Sequence, residues 1–135
     1  MTARLAIVDD DAAFTGYLHT FLGSQGYGIE VFNSGTALLE GLRAGSAPNV
    51  ILLDVLMPDL DGIETLRAIK QARPAAQVIM LSGRQAPQTI VEAVRLGAVD
   101  YVLKPDDAAF TGYLQTLLGA QGYEVDVYNS GTALL

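Results

Sequence analysis

Cysteine is absent from the sequence, and histidine occurs once, as His19. The lack of cysteine excludes disulfides, thiolate metal sites and cysteine nucleophiles. Basic residues are few, with 8 Lys and Arg against 15 Asp and Glu and a net charge of −7. A chain of this charge repels phosphate backbones, so we expect no nucleic-acid binding. Any chemistry must use carboxylates, hydroxyls or amines.

Long apolar runs are also missing. The most apolar stretch, Val50 to Met57, is interrupted by Asp54, and no basic segment followed by an apolar run opens the chain. Neither a membrane span nor a secretory signal is indicated, so the expected location is cytoplasmic. With 135 residues, half of them apolar, the chain has the size of one globular domain.

Short aliphatic runs alternate with helical patterns, which is typical of an α/β fold with a parallel sheet. Four runs are almost continuously apolar, as expected for strands covered on both faces: Leu5–Val8, Val50–Leu53, Val78–Leu81 and Val99–Leu103. Gly28–Phe32 alternates more and suits an edge strand. The pattern predicts five strands with a helix in each gap.

The helices are indicated by apolar stripes and by residues that start or stop a helix. Two stripes at helical spacing are expected to face the sheet: Phe14, Tyr17, Leu18, Phe21 and Leu22, and then Ile63, Leu66 and Ile69. Ser34 is a predicted N-cap for a helix through Leu42, and glycines stand where helices should stop, at Gly26, Gly45 and Gly97. Asp11 and Asp61 are interpreted as N-terminal helix residues and not as ligands.

Polar residues follow the apolar runs. Asp9 and Asp10 follow the first run, and the later runs are followed by Asp54, Ser82 and Lys104. In an open parallel sheet the residues just beyond the strands share one edge, where ligands bind. Three carboxylates, a hydroxyl and an ammonium should therefore converge.

Neighbouring carboxylates repel one another unless they are protonated or bind a divalent cation. A small number of oxygen ligands favours Mg²⁺, which completes its coordination with water and phosphate oxygens. A carboxylate, a cation with open positions and a lysine are the minimum for phosphoryl transfer. Taken singly, Asp9-Asp10 could be a solvated turn, Ser82 a helix cap and Lys104 a solvated charge.

Taken together, the motifs resemble those of response-regulator receiver domains of two-component signalling over residues 4–105. They are Ile7-Val8-Asp9-Asp10-Asp11, Asp54-Val55-Leu56-Met57-Pro58 with a glycine turn at Asp61-Gly62, Ser82-Gly83 and Lys104-Pro105. The resemblance implies a flavodoxin-like, doubly wound five-stranded sheet of order 2-1-3-4-5.

The resemblance also implies roles for single residues. Asp54 would accept a phosphoryl group from a sensor histidine kinase, and Mg²⁺ would be held by Asp9, Asp10, Asp54 and the backbone carbonyl of Leu56. Lys104 would pair with a phosphoryl oxygen and Ser82 would hydrogen-bond another. Tyr101 would turn from an exposed to a buried rotamer as a switch, although partial core packing is the plainer interpretation of an aromatic near an edge. The domain would signal to a protein partner and would not be an enzyme, beyond assisting its own phosphorylation and dephosphorylation.

An internal repeat is the most unusual feature of the chain. Residues 106–135 repeat residues 10–39 at an offset of 96, with 23 of 30 positions identical. We expect a receiver core over 1–105, with the last helix replaced by a copy of the first and followed by an extra strand-like segment at Tyr123–Tyr128. The place that a right-handed crossover would give this strand is already taken by the fourth strand, so it would cross over on the other face, remain unpaired, or pair with a second chain.

Two other functions remain open on the sequence. One is a receiver-derived scaffold, engineered or chimeric, that self-associates into homo-oligomers through residues 106–135. The other is a hydrolase of the same fold family with Asp54 as nucleophile, which would need a general acid and a substrate-binding insertion. No such insertion is found.

Overall fold

The computed structural model describes residues 3–55, 57, 61–82, 87–103, 116 and 118–119. The five strands are β1 (Arg4–Val8), β2 (Gly28–Phe32), β3 (Val50–Asp54), β4 (Gln77–Ser82) and β5 (Asp100–Leu103). The helices between them are α1 (Ala12–Ser24), α2 (Gly35–Arg43), α3 (Gly62–Ala72) and α4 (Pro87–Arg95). The predicted alternation of strand and helix is confirmed.

The strands form one parallel sheet in the order β2-β1-β3-β4-β5. This confirms the flavodoxin-like order and places Gly28–Phe32 at an edge. The central strands are apolar on both faces because helices cover both, and all five residues of β3 are buried.

Alternate strand residues enter two hydrophobic cores, one on each face of the sheet. The α1-side core contains, among others, Leu5, Ile7, Leu18, Leu22, Val50, Leu52, Ile79, Leu81, Val102 and Leu118. The α3-side core contains Ala6, Val8, Leu38, Leu42, Ile51, Leu53, Leu66, Ile69, Val78, Met80 and Ala93, among others. The period of two in the strands thus separates α1 on one face from α2, α3 and α4 on the other.

The helix boundaries follow local chemistry. Side-chain oxygens of Asp11, Ser34 and Asp61 accept backbone hydrogen bonds at the N-termini of α1, α2 and α3, as expected of N-caps. Gly26, Gly45 and Gly97 have φ values of 97°, 111° and 101°, which side chains rarely adopt, so each glycine can end its helix. These predicted starts and stops are confirmed.

The prediction that the α1 stripe faces the sheet is wrong for one residue. Tyr17 is 48 % exposed, whereas Thr15, Leu18 and Leu22 are the buried residues of α1. Thr15 can be buried because its hydroxyl donates to the carbonyl of Ala12 at 3.2 Å. The buried face of α1 therefore includes Thr15 and excludes Tyr17. His19 is exposed, as expected.

Three residues of the repeated segment are described, and all three are helical. Leu118 is fully buried in the α1-side core, which also holds its counterpart at offset 96, Leu22. Thr116 and Gly119 are exposed, like Thr20 and Gly23. The predicted strand-like segment Tyr123–Tyr128 lies outside the described residues, and the packing of 106–135 as a unit stays a prediction.

Leu118→Ala is expected to lower the free energy of unfolding by about 2–5 kcal/mol, because it removes a fully buried side chain. Thr116→Ala, at an exposed position of the same segment, should change it by no more than about 0.5 kcal/mol. Urea denaturation of both variants measures the difference. If the two variants had equal free energies of unfolding, the burial of Leu118 in the core would contribute nothing to stability.

The Tyr27 side chain lies in the α1-side core and is 5 % exposed. Among the residues that the structure describes, its hydroxyl has no hydrogen-bond partner. Burial disfavours the charged phenolate and raises the pKa of Tyr27 from 10.0 to about 12.

The raised pKa of Tyr27 predicts an alkaline loss of stability. Below the unfolded-state pKa of 10.0 the phenol is protonated in both states, and its contribution is complete. As pH rises towards the folded pKa of about 12, only the unfolded state ionises readily, so stability falls. Tyr27→Phe should reduce this fall in urea denaturation across that interval. Identical pH profiles for the Tyr27 variant and the wild type would contradict the assignment.

Candidate functional site

The carboxyl ends of β1, β3 and β4 bring three polar residues to one edge of the sheet. Asp9 directly follows β1, Asp54 ends β3 and Ser82 ends β4. The parallel register pairs Val8 with Leu53 and Asp54 with Leu81, so the ends of the three strands lie side by side. This is the edge at which the sequence predicts the site.

Asp9, Asp10 and Asp54 form a carboxylate cluster. One carboxylate oxygen of each lies within 4.8 Å of the others. Asp9 and Asp54 are 2 % and 4 % exposed, whereas Asp10 is exposed. Two acids are therefore shielded from water beneath a third that faces it, although Asp54 is more than forty residues from the other two along the chain.

Asp9 is held by backbone groups on two sides. Its own N–H donates to the carbonyl of Phe32 at 3.1 Å, which extends the β1–β2 pairing beyond the strands. Its Oδ1 accepts from the N–H of Asp11 at 3.0 Å. Asp11 in turn caps α1, since its Oδ1 accepts from the N–H groups of Ala13 and Phe14 at 3.0 and 3.2 Å. The start of α1 and the orientation of Asp9 thus share one hydrogen-bonded turn.

Asp54 is fixed by the backbone that follows it. The N–H of Val55 donates to the carbonyl of Leu81 at 2.9 Å, and the carbonyl of Val55 accepts from the N–H of Gly62 at 2.8 Å. Asp61 caps α3 through the N–H of Glu64 at 2.8 Å. The chain beyond Asp54 is thereby tied to β4 and to the first turn of α3.

Gly62 differs from its sequence interpretation. It is the first residue of α3 and does not have a positive φ, so it is not a glycine turn. The prediction that Asp61 stands at the N-terminus of a helix is confirmed, but the prediction of a glycine turn at Gly62 is wrong.

Ser82 and Tyr101 lie towards the β5 side of the site. Ser82 is 2 % exposed, and the register places it opposite Leu103. Tyr101 lies opposite Met80 and packs, partly buried, against the α3-side core. Its hydroxyl is shielded from solvent and has no hydrogen-bond partner among the described residues. Tyr101 is thus partly packed in the core, and its role as a switch stays a prediction.

Two predicted site residues, Lys104 and Leu56, lie outside the described residues. Their roles stay predictions. Sequence reasoning also missed a cavity of about 500 Å³ between α1, β2 and α2, on the side of the carboxylates away from β3. It is lined by Asp9, Asp10, Ala12, Thr15, Val31, Phe32, Asn33 and Ala37. It is formed by residues of α1, β2 and α2 that come together only in the folded chain, which no motif encodes.

The cluster fits a divalent cation. Mg²⁺ binds oxygen at about 2.0–2.1 Å in an octahedron, so two ligands on opposite sides lie about 4.2 Å apart. Three carboxylate oxygens within 4.8 Å of one another can approach this arrangement with small side-chain movements. The donor set is all oxygen, which suits a hard cation.

The sequence profile of the response regulator receiver domain matches residues 5–109. The chain belongs to this family. Receiver domains are signalling domains of two-component response regulators, so the predicted family and fold are confirmed. Among the described residues, no helix is long and apolar enough to cross a membrane.

This receiver domain is similar in sequence to the transcriptional regulatory protein ZraR of Escherichia coli K12. The two are 38 % identical over 103 residues, which is 76 % of this chain and 23 % of ZraR. The chain thus spans about a quarter of the length of this relative, so the activity of the whole relative does not transfer to it.

Solved structures give the same result. A CheY-like receiver domain protein from Methanospirillum hungatei JF-1 is 27 % identical, with a TM-score of 0.81 over 90 % of this chain and 98 % of its own. The BeF3-activated receiver domain of DrrB is 30 % identical, with a TM-score of 0.74 over 88 % of this chain and 99 % of its own.

Proposed function

We propose that this receiver domain accepts a phosphoryl group on Asp54 from a sensor histidine kinase, beside a Mg²⁺ ion, and signals by the resulting change in conformation. The observation that supports it best is the carboxylate cluster of Asp9, Asp10 and Asp54, with two of the three acids buried. Placing carboxylates next to one another costs free energy, and a bound divalent cation would offset this cost.

Asp9 and Asp10 would hold the cation together with Asp54 and the backbone carbonyl of Leu56. When bound, Mg²⁺ supplies positive charge that neutralises the oxygens of the phosphoryl group in transfer. The hydrogen bond from the N–H of Asp11 to Asp9 Oδ1 would hold the Asp9 carboxylate in place before the ion binds.

Asp54 would act as the nucleophile. A bond forms between a carboxylate oxygen of Asp54 and phosphorus, the phosphorus–nitrogen bond of the donor phosphohistidine breaks, and its electron pair stays on the imidazole, which takes up a proton. Hydrolysis of the aspartyl phosphate later returns phosphate to water. Burial of Asp54 limits the access of water to the acyl phosphate.

The remaining residues would recognise the phosphoryl group. Lys104 would pair with one oxygen, and the Ser82 hydroxyl would donate to another. Ser82 ends β4 beside β5, so a movement of Ser82 towards Asp54 would alter the packing around Tyr101. Tyr101 would then act as the switch, a two-state element biased by a new charge.

The partners follow from this chemistry. The phosphoryl donor is a histidine kinase, and the output is contact with a downstream protein, in agreement with the net charge of −7. The domain is not an enzyme for a separate substrate. The self-associating scaffold finds no support in the comparisons, and the hydrolase still lacks an identified general acid.

The deciding experiment incubates the protein with a small acyl phosphate, with Mg²⁺ and then with a chelator in its place. Intact mass spectrometry should show one added phosphoryl group only with Mg²⁺, and peptide mapping should place it in the segment that contains Asp54. BeF3, which activates the DrrB receiver, should bind under the same conditions. A folded protein that gains no phosphoryl group and binds no BeF3 would contradict the proposal, because it would have the receiver fold without the phosphoacceptor activity.

A further inference from the structure

The first turn of α3 packs so closely against the end of β3 that there is no room for a Cβ atom at Gly62. A Cβ added at Gly62 would lie 2.4 Å from the carbonyl oxygen of Asp54 and 2.6 Å from the Cα of Val55. The N–H of Gly62 meanwhile donates to the carbonyl of Val55 at 2.8 Å. Helix and strand end are therefore in direct backbone contact beside the carboxylate cluster.

The requirement for glycine is steric and not conformational. Positive φ values among the described glycines occur at Gly26, Gly45 and Gly97, and not at Gly62. Alanine could adopt the backbone conformation of Gly62 without strain. Its Cβ, however, would clash with backbone atoms, which cannot rotate away as side-chain atoms can. Real Cβ contacts are essentially never shorter than 3.0 Å, so alanine must move the peptide after Asp54, or α3, by roughly half an ångström or more.

The geometry points to Gly62 as a positioning residue of the acceptor site. The backbone contact determines how α3 sits against the peptide that carries Asp54, and so where the Asp54 carboxylate stands relative to Asp9 and Asp10. Octahedral Mg²⁺ tolerates little displacement of its ligands. This inference rests on the proposed function, because it concerns the same metal site.

The test measures Mg²⁺ affinity by calorimetry and stability by urea denaturation, without phosphorylation. Gly62→Ala should weaken Mg²⁺ binding by about tenfold or more, as changes behind metal ligands commonly do. Ile69→Val, in the buried face of the same helix, should lower stability and leave the affinity unchanged. Gly23→Ala, where no atom lies within 4 Å of the added Cβ, should leave the affinity unchanged and should only raise stability slightly, because alanine favours the helix more than glycine does.

A second pair covers the case in which Gly62→Ala does not fold. Asp61→Asn keeps a capping oxygen, whereas Asp61→Ala removes it, and both remove the same charge. If the packing of the first turn of α3 against the end of β3 positions the carboxylate cluster, Asp61→Ala should bind Mg²⁺ more weakly than Asp61→Asn.

The outcomes separate the two claims. Wild-type protein that binds no Mg²⁺ would overturn the proposed function itself. Wild-type binding with a folded Gly62→Ala variant of equal affinity would overturn the positioning role alone, and so would equal affinities within the Asp61 pair if Gly62→Ala fails to fold.

Discussion

Asp54→Asn is expected to reduce phosphoryl incorporation from a small acyl phosphate by at least roughly a hundredfold, because the amide cannot act as the nucleophile. Asparagine has nearly the same size as aspartate, so the buried end of β3 should still pack. Intact mass spectrometry at fixed time and Mg²⁺ concentration measures the loss.

Asp11→Asn is the matched control for this change. It removes one negative charge at the same edge of the sheet, keeps an oxygen to cap α1, and lies outside the carboxylate cluster. Its labelling should remain close to that of the wild type. A folded Asp54→Asn variant that still takes up label would mean that another side chain is the acceptor.

Mg²⁺ should stabilise the wild-type domain, and removal of one cluster carboxylate should abolish most of this stabilisation. At about a hundred times its dissociation constant, the ion should raise the free energy of unfolding by about 2.7 kcal/mol. Asp10→Asn should lose most of this gain, because a ligand is missing. Without metal it should be more stable than the wild type, since one repulsive charge has left the cluster.

The sign of the metal-free effect distinguishes the cluster from an ordinary surface acid. Asp11→Asn should retain the Mg²⁺ response and should not gain stability without metal, since its charge favours the N-terminus of α1. Urea denaturation of the wild type and both variants, with Mg²⁺ and with chelator, gives all six values. A metal-free Asp10→Asn variant less stable than the wild type would show that the three carboxylates do not repel one another appreciably.

Local patterns predicted much of this architecture because they reflect short-range physics. Apolar runs such as Val50–Leu53 gave the central strands, since a parallel strand must be apolar on both faces. Caps such as Ser34 and stops such as Gly45 depend on a few neighbouring atoms. The convergence of Asp9 and Asp54 followed from parallel strands alone.

Features that depend on distances between elements were not predictable in this way. Tyr17 belongs to the apolar stripe of α1 but is exposed, because the sheet and Leu118 cover only part of that helix. The steric role of Gly62 depends on how deeply α3 seats against β3. The cavity beside Asp9 and Asp10 likewise combines residues of three separate elements, α1, β2 and α2.

The carboxylates lie at or just beyond the ends of β1 and β3, two interior strands of the sheet. β1 and β3 are flanked by other strands on both edges and by helices on both faces, and most of their side chains are inaccessible to water. Opening either strand would expose both cores, so their amides should exchange with solvent only through global unfolding. Asp9, Asp10 and Asp54 are therefore supported by backbone that should stay rigid for as long as the domain stays folded.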